Sequence, residues 1–244
     1  AMTFPVTAVL SVWAAGLEKF INIFEERINK GEDAIEAALC TIREVSVMNR
    51  KIRFEGDAYS AEWHAEAKRR GIVKARTIPD GIDLFMEPET LTMLEELGIF
   101  RKKEMESFYV IRMESFVKNI EIEMSVLRDM IWEGILPAIS KQMILESGSL
   151  SSVGDCGLEG TDEWKRHIAR LAKAKIDLME KTKELVEMKE RMSKQNLRKH
   201  ADALVDEAVP LMAEIRRIAD SVEVYMSAEN MAYPNYRSLL SLSA

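Results

Sequence analysis

The stretch Thr161 to Met192, TDEWKRHIARLAKAKIDLMEKTKELVEMKERM, decides the fold. Trp164, Leu171, Leu178, Leu185 and Met192 recur every seven residues, flanked by Ala172, Met179 and Val186. Three apolar positions in every two turns make the buried stripe of a bundle helix, broader than a strict coiled-coil seam. Thr161 stands where an N-cap belongs, and Asp162 and Glu163 place negative charge in the first turn, where the helix dipole favours it. At 1.5 Å per residue such a helix runs about 50 Å. A second helix over about 200–228 is predicted to fold back as its antiparallel mate, offering Leu204, Val205, Val209, Met212, Ile215, Ile218 and Val222.

Before this hairpin lies the clearest linker, residues 146–160, rich in Ser and Gly. It separates an expected helical domain at 1–145 from the hairpin and extended tail at 161–244. Within the first domain, Val9, Leu10, Val12, Trp13, Leu17, Phe20, Ile21 and Phe24 keep an apolar helix face that Gly31 ends. A helix follows at about 32–49, with Ile35, Leu39, Ile42 and Val45 on one side. Ser60 caps another that stops at Gly71, with Tyr59 placed to staple onto Trp63. Residues 72–87, punctuated by Pro79-Asp80-Gly81, read as irregular; Pro88 then opens a short helix closed by Gly98. From about Lys102 a long helix carries Met105, Phe108, Tyr109, Met113, Phe116, Val117, Ile120, Met124, Leu127 and Ile131 at helical spacing, with Pro137 set to kink or interrupt it. The expected fold is therefore all-α: a multi-helix bundle with a long antiparallel helical hairpin in the C-terminal third.

The 244 residues are 47% hydrophobic and 31% charged, the balance of a soluble globular protein. A net charge of −7 and no basic face argue against nucleic acid. The longest apolar run, Val6 to Ala15, is short for a membrane span, is followed at once by Glu18 and Lys19, and has no basic leader before it. No membrane partner is expected. Ala1 ahead of Met2 reads as foreign to the native chain and is set aside. Cys40 and Cys156 are far apart, which fits a reducing cytoplasm better than a disulfide framework.

No catalytic, cofactor-binding or metal-binding residues are assigned. His64, His167 and His200 lack the Glu three residues earlier that a di-metal bundle uses. His64-Ala65-Glu66 has no Pro-Cys-x-x-Cys after it, as a zinc deaminase would need. Gly154, Gly157 and Gly160 have the wrong spacing for a phosphate-binding loop, and Cys156 has no readable base beside it. Glu121 and Glu123, two apart on a helix, face different sides and read as solvated or interface charges.

Several blocks, in order, carry a family resemblance. They are Phe4-Pro5-Val6-Thr7, then Phe54-Glu55-Gly56-Asp57-Ala58-Tyr59-Ser60-Ala61-Glu62-Trp63, then Leu94 to Phe100. Lys103 to Ser107, Asn119 to Glu123, Ile135-Leu136-Pro137-Ala138 and Tyr233-Pro234-Asn235-Tyr236 with Leu239-Leu240 follow. Together they resemble the region after the catalytic barrel in type III glutamine synthetases. The chain departs from that pattern at Phe108, where the family usually has Arg, and at Tyr233, where it has Trp.

The resemblance implies a parent enzyme that joins glutamate and ammonia using ATP, with Mg or Mn, in nitrogen metabolism. The parent's metal-binding and ATP-contacting residues match no position here. The expectation is a cytoplasmic, non-catalytic C-terminal region. Its partners would be the parent catalytic barrel and neighbouring subunits of a homo-oligomer. The alternative is a free-standing helical interaction protein derived from such a tail.

Overall fold

A computed structural model describes residues 3–72, 75–155, 160–234 and 239–240. Among these the chain is helical, with no strand. It divides into two compact units, the first spanning Ala1–Arg112 and the second Met113–Ala244. The expected division at residue 145 does not coincide with this boundary.

In the first unit, α1 (Thr3–Asn29) packs on α2 (Ala34–Met48). Gly31, at φ +87°, makes the turn between them, and Asp33 caps α2 by accepting from the amides of Ile35 and Glu36. By length and composition alone, the Val6–Asn29 stretch of α1 is long and apolar enough to cross a membrane, which the shorter run Val6–Ala15 did not suggest.

Next comes α3 (Ala61–Arg69), stopped by Gly71 at φ +67°. The stretch expected to be irregular is partly helical: α4 (Ile78–Asp83) is followed by a 3-10 turn at Leu84–Met86. The reason is a capping box that the Pro-Asp-Gly signal hid. The Thr77 hydroxyl accepts from the Asp80 amide, and the Asp80 carboxylate accepts from the Thr77 amide, each at 3.2 Å. Pro79 sits in the first turn, where its missing N–H has no consequence. Val73 and Lys74 lie outside the described residues. Pro88 opens α5 (Pro88–Glu96), and Gly98 ends it at φ +66°, as expected.

Helix α6 (Lys102–Asp129) runs through a π-helical segment, Met130–Ile135, into α7 (Leu136–Asp155). Pro137 therefore does not break the rod. A proline cannot donate to the carbonyl four residues back and collides with it; the wider π turn just before takes up that conflict. Pro210 repeats the device after the π segment Leu204–Ala208. The Ser/Gly-rich stretch read as linker is helical up to Asp155. Ser149 and Ser152 donate their hydroxyls to the carbonyls of Leu145 and Gly148, so the polar side chains are absorbed by the helix itself. Cys156 and Gly157 lie outside the described residues.

The second unit is built around α8 (Asp162–Met192), which packs on α7 and on α10 (Val209–Glu223). A short turn, then α9 (Leu197–Ala203), joins α8 to the returning arm of the hairpin. The pairs Lys181–Glu214 and Arg191–Glu207 run in opposite chain directions, so the hairpin is antiparallel. Leu171, Leu178, Leu185 and Met192 of the heptad stripe are buried, joined by Ala174, Thr182 and Met188. Trp164 is only half-buried and donates its indole N–H to Glu146 at 2.6 Å. Thr161 precedes α8 but makes no capping bond through its side chain.

Gly134, within the π segment, faces Tyr233, whose hydroxyl donates to the Met130 carbonyl at 3.2 Å. A Cβ at Gly134 would sit 2.5 Å from that hydroxyl oxygen and 2.7 Å from the ring. Gly134→Ala is expected to destabilise the chain by about 1–3 kcal/mol. Adding Tyr233→Ala should relieve the collision, so the two changes together should cost less than their sum in denaturant unfolding.

Candidate functional site

The segment before α3 shows how local chemistry builds a rigid element. Gly56, at φ +143°, turns the chain, and the Asp57 carboxylate accepts from the Tyr59 amide at 2.8 Å. Ser60 accepts from the Trp63 amide at 3.1 Å, confirming the N-cap. The staple is different from the one expected: Tyr59 is 91% exposed, and Phe54 stacks on Trp63 instead, with ring centroids 4.3 Å apart. Arg70 lies 5.7 Å from the Trp63 ring and donates to the carbonyls of Lys51 and Arg53 at 3.1 and 2.7 Å. Glu66 pairs with both Arg69 and Arg70, and those guanidinium groups hold its carboxyl down at about 2.

Helices α1 and α2 present exposed apolar stripes in the first unit. On α1, Val6, Leu10, Trp13, Leu17 and Ile21 follow helical spacing along one side, and each is exposed, Trp13 at 67%. On α2, Ile35, Leu39 and Ile42 form a second exposed stripe, Ile35 at 73%. The buried positions are instead small or polar: Ser11 on α1, Ala37 and Thr41 on α2. Of the four residues the sequence places on one side of α2, Ile35, Leu39 and Ile42 are thus left in solvent and Val45 is half-buried. A groove of about 660 Å³ opens beside the α1 stripe, lined by Val9, Val12 and Trp13 with Phe85, Met93 and Leu94.

In the second unit sits a buried polar cluster that the sequence did not announce. His200 of α9 is 7% exposed, and its Nε2 lies 3.6 Å from Glu121 Oε1, with no hydrogen-bond partner of its own. Glu121, expected as a solvated or interface charge, is buried and bonded to Lys118 at 2.7 Å. Lys189 of α8 donates to the Glu121 carbonyl at 3.0 Å and to the Ser125 hydroxyl at 2.6 Å. The only hint in the sequence was a histidine and a glutamate at core-facing helical positions on distant helices.

Burial pushes the His200 pKa down; Glu121 opposes this and Lys118 adds to it. A histidine depressed in the fold stays neutral there while the unfolded chain protonates. Its contribution to stability is therefore complete above the unfolded value of about 6.5 and declines as pH falls through it. Unfolding measured from about pH 7 to about pH 5 should lose stability, and His200→Gln should flatten that slope.

His64 is exposed, and His167 meets Tyr225 edge-on at 5.0 Å. Cys40 is half-buried and free. Among the described residues no three His, Cys, Asp or Glu side chains converge as a metal site.

Residues 37–148, from α2 to within α7, match the glutamine synthetase C-terminal domain family. The chain is 28% identical to a glutamine synthetase of Butyrivibrio fibrisolvens over 86% of its length. It is 25% identical to a glutamine synthetase of Bacteroides fragilis (strain YCH46) over 96%. It is 22% identical to the type-3 glutamine synthetase of Dictyostelium discoideum over 82%. It spans 30%, 33% and 28% of these relatives, about a third of their length. Residues 37–148 thus match the glutamine synthetase C-terminal domain, and most of the chain is similar to glutamine synthetases, a type-3 enzyme among them.

Proposed function

We propose that this chain is the non-catalytic, helical C-terminal region of a glutamine synthetase-like ligase and supports its packing and oligomer assembly. The parent reaction is the ATP-dependent joining of glutamate and ammonia in cytoplasmic nitrogen metabolism. The carrying observation is the apolar face of α1 and α2, where Trp13 and Ile35 stand in solvent. An exposed apolar surface of this kind marks an interaction site. Its partner is the catalytic portion of the parent polypeptide, with neighbouring subunits of a homo-oligomer completing the assembly. The chain's coverage of about a third of its relatives leaves room for that portion.

A partner surface fits α1 better than a lipid one, because Glu18, Lys19, Glu25, Glu26 and Arg27 fall within the span. Mg or Mn and ATP are assigned to the catalytic portion, as the resemblance to type III glutamine synthetases implies.

The test has two readouts. The reading frame upstream of Thr3 should continue into a barrel-coding sequence; a start codon at Met2 with no such frame would favour the free-standing interaction protein. The purified chain should form no glutamine from glutamate, ammonia and ATP, and measurable synthesis would overturn the proposal.

A further inference from the structure

A basic pocket of about 680 Å³ lies in the first unit, lined by Arg50, Ile52, Arg53, Phe54, Glu55 and Arg70. Three arginines and a single glutamate line it, in a chain whose net charge is −7. The wall is preorganised. Arg70 is fixed by its bonds to Glu66 and to the carbonyls of Lys51 and Arg53, and Phe54 is held against Trp63. Gly56 keeps the loop close to that ring, since a Cβ there would meet Phe54 at 3.0 Å.

Glu66 offsets the charge of Arg70, so the attraction for an anion comes from Arg50 and Arg53. Arg53 spends one N–H on the Ser46 carbonyl, at 2.8 Å. A guanidinium has five donors, so most of those on Arg53 are left over. Arg50 makes no side-chain hydrogen bond or ion pair among the described residues. Arginine forks match phosphate oxygens in a bidentate way that a lone ammonium does not. Ile52 and Phe54 offer an apolar wall to whatever carries the phosphate.

We propose that this pocket binds a phosphate-bearing small molecule, with Arg50 and Arg53 gripping the phosphate and Ile52 and Phe54 packing its organic body. The site is separate from the apolar face of α1 and α2, so it stands whether or not that face docks a catalytic portion.

The experiment is calorimetric titration of the purified chain with phenyl phosphate and, separately, with inorganic phosphate at matched ionic strength. Arg50→Gln is the informative variant, because an exposed side chain that supports no neighbour can be replaced while the helix content and melting curve stay unchanged. Saturable binding of phenyl phosphate, weakened about tenfold by Arg50→Gln, is the expected result. Weaker binding of inorganic phosphate would place the organic body on the apolar wall, and equal binding would make free phosphate the ligand. No saturation by either probe up to about 10 mM, weaker than any ordinary ligand affinity, would overturn the proposal. So would binding that Arg50→Gln leaves unchanged, or capture of an acidic peptide in preference to both.

Discussion

Replacing Leu178 with alanine is expected to lower the unfolding free energy by about 2–5 kcal/mol, the range for a leucine removed from a closed core. Leu178 is fully buried midway along α8, the helix that packs on both α7 and α10. A cavity there has helices on two sides, and each is tied to α8 by bonds that resist collapse. Trp164–Glu146 and Lys175–Ser140 tie α8 to α7, and Lys181–Glu214 ties it to α10. Ile176, two residues away on α8, is 54% exposed, and Ile176→Ala should change stability by less than about 0.5 kcal/mol. Urea unfolding followed by circular dichroism measures both. Equal effects at the two positions would mean that the stripe is not the packed face.

The second large effect concerns the surface of α1. Trp13→Asp with Leu17→Asp should abolish association with the catalytic portion, weakening it by about a hundredfold or more, since buried aromatic anchors dominate interfaces. The stability of the isolated chain should hardly change, because both side chains already stand in water. The unmodified chain should self-associate at high concentration through the same face, and the double variant should not. Co-expression with the upstream polypeptide, followed by co-purification and sedimentation, reads the first effect; sedimentation of the chain alone reads the second. Association that survives both substitutions would remove this face from the assembly. Loss of helix content in the variant would show instead that Trp13 belongs to the core.

The class of the fold was readable because helical periodicity is a local property. The heptad of α8, the cap at Ser60 and the stops at Gly31, Gly71 and Gly98 each follow from a few neighbouring residues. The failures share a cause as well. On the return arm of the hairpin the buried positions include Ala201, Ala208 and Ala219. Reading by hydrophobicity favoured Val205, Val209 and Ile218, yet Val209 is 42% exposed. Alanine ranks low as a hydrophobe but lets helices approach closely, and only the approach reveals its importance. Glu121 was read by its neighbour Glu123, two residues away. Its actual neighbours are Lys118 and His200, and His200 comes from a different helix.

Sequence alone determined that this protein is helical, where most of its helices begin and end, and which enzyme family its ordered blocks resemble. Tertiary structure decided what each apolar face is for. In α8 the stripe is sealed between two helices; in α1 and α2 comparable stripes are left in solvent. An apolar stripe at helical spacing gains free energy by leaving water, whatever covers it. Whether this chain supplies the cover, or another polypeptide must, depends on contacts between residues far apart in sequence, which no local pattern encodes.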